Sequence, residues 1–377
     1  MKLTLIFKAF LGIIFTAALL IFIFPLISLL LPEKTKDHFY STVTFEVIAN
    51  RIAPAREDKQ QQAHQLFDYV RMNIFLPRGS LPYEGKPLDY LIKGVGWCDY
   101  MARVFNRLLA QRGIPARYAM MMPREEGPSV HTLNEVYLGE KWGVFDPLTG
   151  VIFDDGRGGY YSLDEISADS SIRDRNLRIS AIRELSGSEE DFYAAMFPIK
   201  YSPSRSEAVT EDIHIFDWIT MKYVDLFGRP FSDNYQDFYL SSKTDILEGA
   251  EKLFSLARNY DLYGRMDKAE ETYRLLSQRY PASSYAEDSQ FFLGVLYTNQ
   301  LNDFEKAKET LENLLALYPD SKWHSEANFY LGIVYDKVGD TKRAGSFFLD
   351  YSGLKLNTDA MLRLISAKAK EEDAIIQ

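Results

Sequence analysis

Residues 94–113 read GVGWCDYMARVFNRLLAQRG, and their pattern predicts the central helix of the middle of the chain. Apolar residues after Cys98 recur at the spacing of one helical face: Met101, Ala102, Phe105, Leu108 and Leu109. This spacing predicts a helix of about four turns, with Gly113 in the left-handed position after its end. A helix amino terminus carries partial positive charge and favours the reactive thiolate form of a cysteine. The alternative is that Cys98 is a small buried hydrophobic residue.

Residues 131–151 read HTLNEVYLGEKWGVFDPLTGV, and their alternating apolar positions predict two strands. We expect Gly139 and Glu140 to form a two-residue turn of the Gly-first type between these strands. A two-residue turn places Leu138 opposite Lys141 and so fixes the register of the hairpin.

This register places Leu133 opposite Asp146, and His131 points to the same side of its strand as Leu133. Asp146 and His131 then become diagonal neighbours, about 7–8 Å apart at their Cα atoms, within reach of a hydrogen bond. We therefore expect a triad in which Cys98 attacks as a thiolate, His131 moves the proton and Asp146 fixes the imidazole tautomer.

The two quoted stretches, extended through GIPARY after the helix, resemble the transglutaminase-like superfamily, whose members share a papain-like α+β fold. The matching positions are Gly96, Cys98, Gly113, Ile114, Pro115, Ala116, Arg117, His131, Glu135, Trp142, Asp146 and Pro147. The resemblance covers about residues 60–160. It implies Cys98 as nucleophile, His131 as base and acid, and Asp146 as the orienting carboxylate. The chain departs from the family pattern at Leu133, where an aromatic residue is usual, and this concerns the substrate pocket.

The amino-terminal region contains an apolar stretch without charge from Ala9 to Leu31, AFLGIIFTAALLIFIFPLISLLL. It is longer than the roughly 20 residues that cross a bilayer as a helix, and longer than the apolar core of a signal peptide. The stretch therefore predicts one transmembrane helix; the alternatives are a signal peptide that is removed and a buried core helix. Lysines lie on both sides of the apolar stretch, so the distribution of positive charge gives little information on the orientation of the helix in the membrane. We expect the soluble body to be periplasmic or otherwise extracytoplasmic.

The last third of the chain repeats itself, in segments that begin at Leu256, Leu293 and Leu331. Each segment has a tyrosine four residues after its leucine and a later alanine, and prolines at 281 and 319 separate the segments. The pattern resembles tetratricopeptide repeats, somewhat longer than the usual length of roughly 34 residues. A coiled coil is excluded because the prolines interrupt any heptad pattern. A stack of such helix pairs forms a concave surface for a protein or peptide partner.

The composition is globular, and it excludes several classes of site. The net charge of −10 without a long basic run argues against nucleic-acid binding. A single cysteine excludes intramolecular disulfides, cysteine-based zinc sites and iron–sulfur clusters, and the five histidines form no metal-binding pair. We therefore expect no metal and no cofactor.

The sequence thus predicts one transmembrane helix, an α+β transglutaminase-like domain and an all-α repeat solenoid that ends in a capping helix at Asp359–Ala374. Segments rich in Ser, Asp and Glu at Ser202–Asp212 and Ser232–Asp245 predict loops around one helix. The expected regions are an anchor at 1–32, the transglutaminase-like domain at 40–165, a helical extension and linker at 166–245, and the repeat domain at 246–375.

The favoured function is that of a membrane-anchored thiol enzyme that cleaves or transfers an amide or peptide bond through an acyl-enzyme on Cys98. The repeat domain would dock a protein partner. The alternative is a non-catalytic scaffold that binds peptides and supports assembly. Whether water or an amine resolves the acyl-enzyme stays open, as does the identity of the substrate. We also expect the repeat domain to fold alone, and its deletion to leave Cys98 reactive toward a small acyl probe.

Overall fold

The computed structural model of the chain describes residues 12, 32–76, 85–121, 131–169, 171–172, 176, 203–205, 215–243 and 248–350. The helices in these ranges are α1 (Glu33–Ile52), α2 (Lys59–Arg71), α3 (Pro87–Lys93), α4 (Cys98–Gln111), α5 (Leu163–Ala168), α6 (Ile215–Lys243), α7 (Gly249–Tyr263), α8 (Met266–Arg279), α9 (Ser284–Leu296), α10 (Phe304–Leu317), α11 (His324–Lys337) and α12 (Thr341–Leu349). The strands are β1 (Ala116–Met121), β2 (His131–Leu138), β3 (Lys141–Asp146), β4 (Val151–Ile152) and β5 (Pro203–Arg205).

The helix predicted after Cys98 is confirmed as α4. Its apolar face, including Met101, Phe105 and Leu108, is fully buried. The helix ends at Gln111, and Gly113 follows with a φ of +61°, in the left-handed region that glycine adopts without strain.

The five strands form one antiparallel sheet in the order β4-β3-β2-β1-β5. The predicted hairpin register is confirmed, because Leu138 pairs with Lys141. The predicted turn type is wrong: Gly139 and Glu140 both have positive φ, 56° and 74°. Positive φ at both positions defines a type I′ turn, whose twist matches the right-handed twist of the strands. This match favours the type I′ turn although Glu140 is not a glycine.

The predicted loop at Ser232–Asp245 is wrong over most of its length, because α6 continues to Lys243 across a kink at Gly228. The polar residues of this stretch suggested a loop, but Phe231, Tyr235 and Leu240 form a buried helical face. Strand β5 lies within the other predicted loop, Ser202–Asp212, and pairs with β1.

Helix α1 packs between α6 and α7 in the largest core cluster, which also contains the apolar face of α4. The ring of Tyr40 stacks on Tyr239 with their centroids 3.7 Å apart, and Phe39 meets Tyr235 edge to face. The Tyr40 hydroxyl donates to Asn259 Oδ1 at 2.8 Å, which joins α1 to α7.

The structure contradicts the predicted single-pass membrane location. Within the described ranges, no helix is both long enough and apolar enough to cross a bilayer. The first long helix, α1, begins with Glu33 and Lys34 and buries Glu46 in the protein core, so it is too polar for a membrane span. The stretch 9–31 itself lies outside the described residues, except for Gly12.

Helices α7 to α12 form three successive helix pairs, as the repeat pattern predicts. The two helices of a pair cross closely at small residues: a Cβ atom on Gly294 would lie 2.5 Å from Leu311, and one on Gly332 would lie 2.6 Å from Phe348. A π-helical turn, Tyr297–Leu301, extends α9. The predicted capping helix at Asp359–Ala374 lies outside the described residues.

Candidate active site

Cys98 is the first residue of α4, where backbone N–H groups of the first turn have no partner within the helix. Its side chain is half-buried. The preceding turn is tied to the chain at Phe75, whose N–H donates to the carbonyl of Gly94 at 2.9 Å and whose carbonyl accepts from the N–H of Gly96 at 2.9 Å. The thiol is therefore presented from a short, backbone-anchored turn.

His131 and Asp146 lie at the ends of neighbouring strands, as the hairpin register predicts. His131 Nε2 and Asp146 Oδ2 are 2.9 Å apart, and both side chains are almost completely buried. The other carboxylate oxygen, Oδ1, accepts from the N–H groups of Leu148 at 3.1 Å and Thr149 at 3.4 Å. Both oxygens of Asp146 are thus held, which fixes the carboxylate against the imidazole.

The imidazole of His131 is also hydrogen-bonded to Cys98. Burial by itself lowers the pKa of His131, but the charge and hydrogen bond of Asp146, together with Cys98, raise that pKa to about 10. The direction of this shift favours the imidazolium form of His131, which is the form that can stabilise a neighbouring thiolate. Because Asp146 occupies Nε2, Nδ1 is the ring nitrogen that is left for the sulfur.

A buried pair of asparagines joins β2 to α4, and neither residue is among the site positions predicted from the sequence. Asn134 Nδ2 donates to the carbonyl of Ala102 at 3.0 Å and to Asn106 Oδ1 at 2.6 Å. These bonds fix the strand that carries His131 against the helix that begins at Cys98. The signal available in the sequence was the polar Asn134 between the apolar residues Leu133 and Val136 of the predicted strand.

Three further residues of the family pattern form one stack across the sheet. Arg117 Nε donates to Glu135 Oε2 at 2.7 Å, and the Arg117 guanidinium lies 4.1 Å from the ring centroid of Trp142. The three residues come from β1, β2 and β3, so their contacts hold the register of adjacent strands. Leu133, the departure from the pattern, is fully buried in an apolar cluster with Met121.

The three side chains predicted as a triad are therefore brought together, and their catalytic role stays a prediction. Over the described residues, no group of three or more His, Cys, Asp or Glu side chains is arranged to hold a metal ion.

Comparison with protein-family models confirms both resemblances. The model of the transglutaminase-like superfamily matches residues 46–147, a range that contains Cys98, His131 and Asp146. The model of a tetratricopeptide repeat matches residues 288–321, which span most of α9 and all of α10. Comparisons with curated proteins and with solved structures give no significant match.

Proposed function

We propose that the chain is a transglutaminase-like thiol enzyme that cleaves or transfers an amide or peptide bond through an acyl-enzyme on Cys98. The observation that carries this proposal is the hydrogen-bonded series from Asp146 through His131 to Cys98, with the thiol at a helix amino terminus. The raised pKa of the buried His131 favours its imidazolium form, which can give a proton to the leaving amine.

In the first half of the reaction, the Cys98 sulfur forms a bond to the substrate carbonyl carbon, and the carbonyl oxygen becomes an oxyanion. The backbone N–H of Cys98, in the first turn of α4, would donate a hydrogen bond to that oxyanion. His131 then gives its proton to the leaving amine as the carbon–nitrogen bond breaks, which leaves a thioester.

In the second half, water or a second amine attacks the thioester carbon. Neutral His131 takes the proton of this nucleophile, and the carbon–sulfur bond breaks to restore the thiolate. Asp146 keeps the imidazole oriented through both halves because its other oxygen is fixed by backbone N–H groups.

The test is to label the full chain with a thiol-directed acyl probe at pH 6 and to map the modified peptide. We expect labelling at Cys98 that is faster than that of a free thiol, slow labelling in His131→Gln, and none in Cys98→Ala. A matched control is His64→Gln, because His64 is half-buried and bonds the Tyr160 hydroxyl, outside the triad. Labelling of Cys98 at the rate of a model thiol would contradict the proposal.

The repeat helices support a protein-interaction role, which tetratricopeptide repeats generally serve. We propose a protein or peptide partner for this region and a protein or peptide amide as substrate. If Cys98→Ala leaves function in cells unchanged while a repeat-domain deletion abolishes it, the scaffold alternative replaces the enzyme.

A further inference from the structure

The ring of Phe75, from the segment between α2 and α3, lies inside the core of the repeat domain. Its centroid is 5.1 Å from that of Phe291, 6.1 Å from Phe292, 5.9 Å from Trp323 and 6.1 Å from Tyr330. All five side chains are fully buried. The four rings of the repeat domain, Phe291, Phe292, Trp323 and Tyr330, form an aromatic box. The ring of Phe75, from the transglutaminase-like region, fills this box.

The backbone of Phe75 holds the turn that precedes Cys98. Its N–H and carbonyl bond Gly94 and Gly96, and Gly96 is two residues from the thiol. One residue thus has its ring in the aromatic box and its peptide groups on the turn of the candidate active site. A shift of Phe75 within the box would move that turn.

A second contact, from α7, reaches the end of α3, which leads directly into that turn. Arg258 is fully buried and donates from Nη2 to the carbonyl of Leu91 at 2.6 Å and from Nε to the carbonyl of Ile92 at 3.2 Å. These carbonyls belong to the last turn of α3, where they have no partner within the helix. Arg258 is itself held by Asp261 at 2.8 Å and lies over the ring of Phe292, 4.1 Å from its centroid.

The third contact is the approach of Phe292 to the backbone of Gly94. Gly94 has a φ of +68°, and a Cβ atom added there would lie 2.1 Å from Phe292 Cζ. The ring of Phe292 therefore rests directly on the main chain at the end of α3. Repeat-domain side chains thus contact the backbone of Leu91, Ile92 and Gly94, a few residues before the nucleophile.

We propose that the repeat domain acts within its own chain as a support for the turn that carries Cys98, with Phe75, Arg258 and Phe292 as positioning residues for the thiol. This inference rests on the proposed function of Cys98. It replaces the expectation that deletion of the repeat domain leaves the thiol reactive. The face of the repeat helices that contacts Leu91, Ile92 and Gly94 is occupied by the chain itself, so a protein partner would bind a different face.

The experiment measures the rate of Cys98 alkylation by iodoacetamide in the full chain, at pH 6 and pH 9, with thermal unfolding recorded for every variant. The test variants are Phe292→Leu, Phe75→Leu and Arg258→Lys, which retain apolar volume or charge but lose the contacts described. The matched control is Phe348→Leu, because Phe348 is a buried repeat-domain ring that packs on Gly332, away from the turn.

We expect the test variants to lose on the order of tenfold to a hundredfold of the rate at pH 6, since small displacements in a reactive site cost that much. The loss at pH 9 should be smaller, because an ordinary cysteine thiol, with a pKa of about 8.5, is mostly thiolate at that pH even without a neighbouring imidazolium. Phe348→Leu should keep the wild-type ratio of the two rates even where its thermal stability falls. A change of stability alone does not alter this ratio in folded protein, so the ratio separates positioning from structural support.

Two outcomes overturn the inference in different ways. If wild-type Cys98 is activated and all test variants keep the wild-type ratio, the support role is rejected and the proposed function stands. If wild-type Cys98 behaves as a free thiol at both pH values, the proposed function fails and the support role fails with it.

Discussion

The candidate active site and its contact with the repeat domain reach their geometry by different routes. His131 and Asp146 are 15 residues apart and are brought together by one hairpin, whose two-residue turn sets the register. Arg258 and Leu91 are 167 residues apart, and their contact exists only once both regions have folded. The reactive groups are therefore paired locally, whereas the alignment of the nucleophile depends on distant parts of the chain.

The largest expected effect comes from removing the locally paired residues His131 and Asp146. His131→Gln should lower the rate of acylation at Cys98 by about 10²–10⁴, the usual contribution of a general acid–base group. Asp146→Asn should lower it less, and the double variant should be hardly slower than His131→Gln, because triad residues act as a unit. Acyl-probe labelling rates on folded protein measure this. Fully additive losses would mean that the two residues act separately.

The next effect tests whether the repeat domain and the candidate active site unfold as one cooperative unit. Phe75→Ala should lower the free energy of unfolding by about 3–5 kcal/mol, since it empties the aromatic box. Urea titrations followed by both circular dichroism and tryptophan fluorescence should show a single transition. Two separate transitions would indicate that the regions fold independently, contrary to the shared contacts.

The contribution of His131 to stability should depend on pH. The pKa of His131 is raised from 6.5 to about 10 in the folded chain, so its stabilisation is complete below pH 6.5 and is lost as the pH rises through about 10. The difference in unfolding free energy between wild type and His131→Gln should therefore shrink by about 2 kcal/mol or more between pH 6.5 and pH 10. Urea titrations across this range measure it. A constant difference would mean that His131 is not held as the charged form.

The smallest effects lie within the repeat pairs, away from the turn. Gly294→Ala should destabilise by about 1–3 kcal/mol, because the new Cβ meets the buried Leu311 side chain. Gly345→Ala is the matched control: no atom lies within 4 Å of its added Cβ, so it should stabilise α12 by about 0.5–1 kcal/mol. Thermal unfolding distinguishes the expected destabilisation by Gly294→Ala from the expected stabilisation by Gly345→Ala. Equal effects would show that close helix crossing is unimportant here.

What could be predicted from the sequence follows this division between local and distant contacts. The helix at Cys98, the hairpin register and the proximity of His131 to Asp146 follow from spacing over a few residues. Internal repetition revealed the helix pairs because each pair repeats the same tyrosine and alanine positions. All of these are local patterns that a single sequence displays.

Features that depend on packing could not be predicted. The polar residues at 232–243 suggested a loop, and only the packing of Tyr235 against Phe39 of α1 explains why α6 continues through them. The turn type at Gly139 depends on strand twist and not on the glycine alone. Phe75 has no pattern around it, because its partners lie more than two hundred residues away in sequence.

The placement of Phe75 also determines how the chain can be divided. A fragment cut near residue 246 would leave the repeat helices with an apolar hole where this ring belongs, and the other fragment with an exposed phenylalanine. Recombining these repeats with a different catalytic region would require that region to bring its own aromatic residue at the same point. In design terms, the interchangeable module is therefore discontinuous in sequence. It consists of the repeat helices together with Phe75, which precedes Cys98 in the chain.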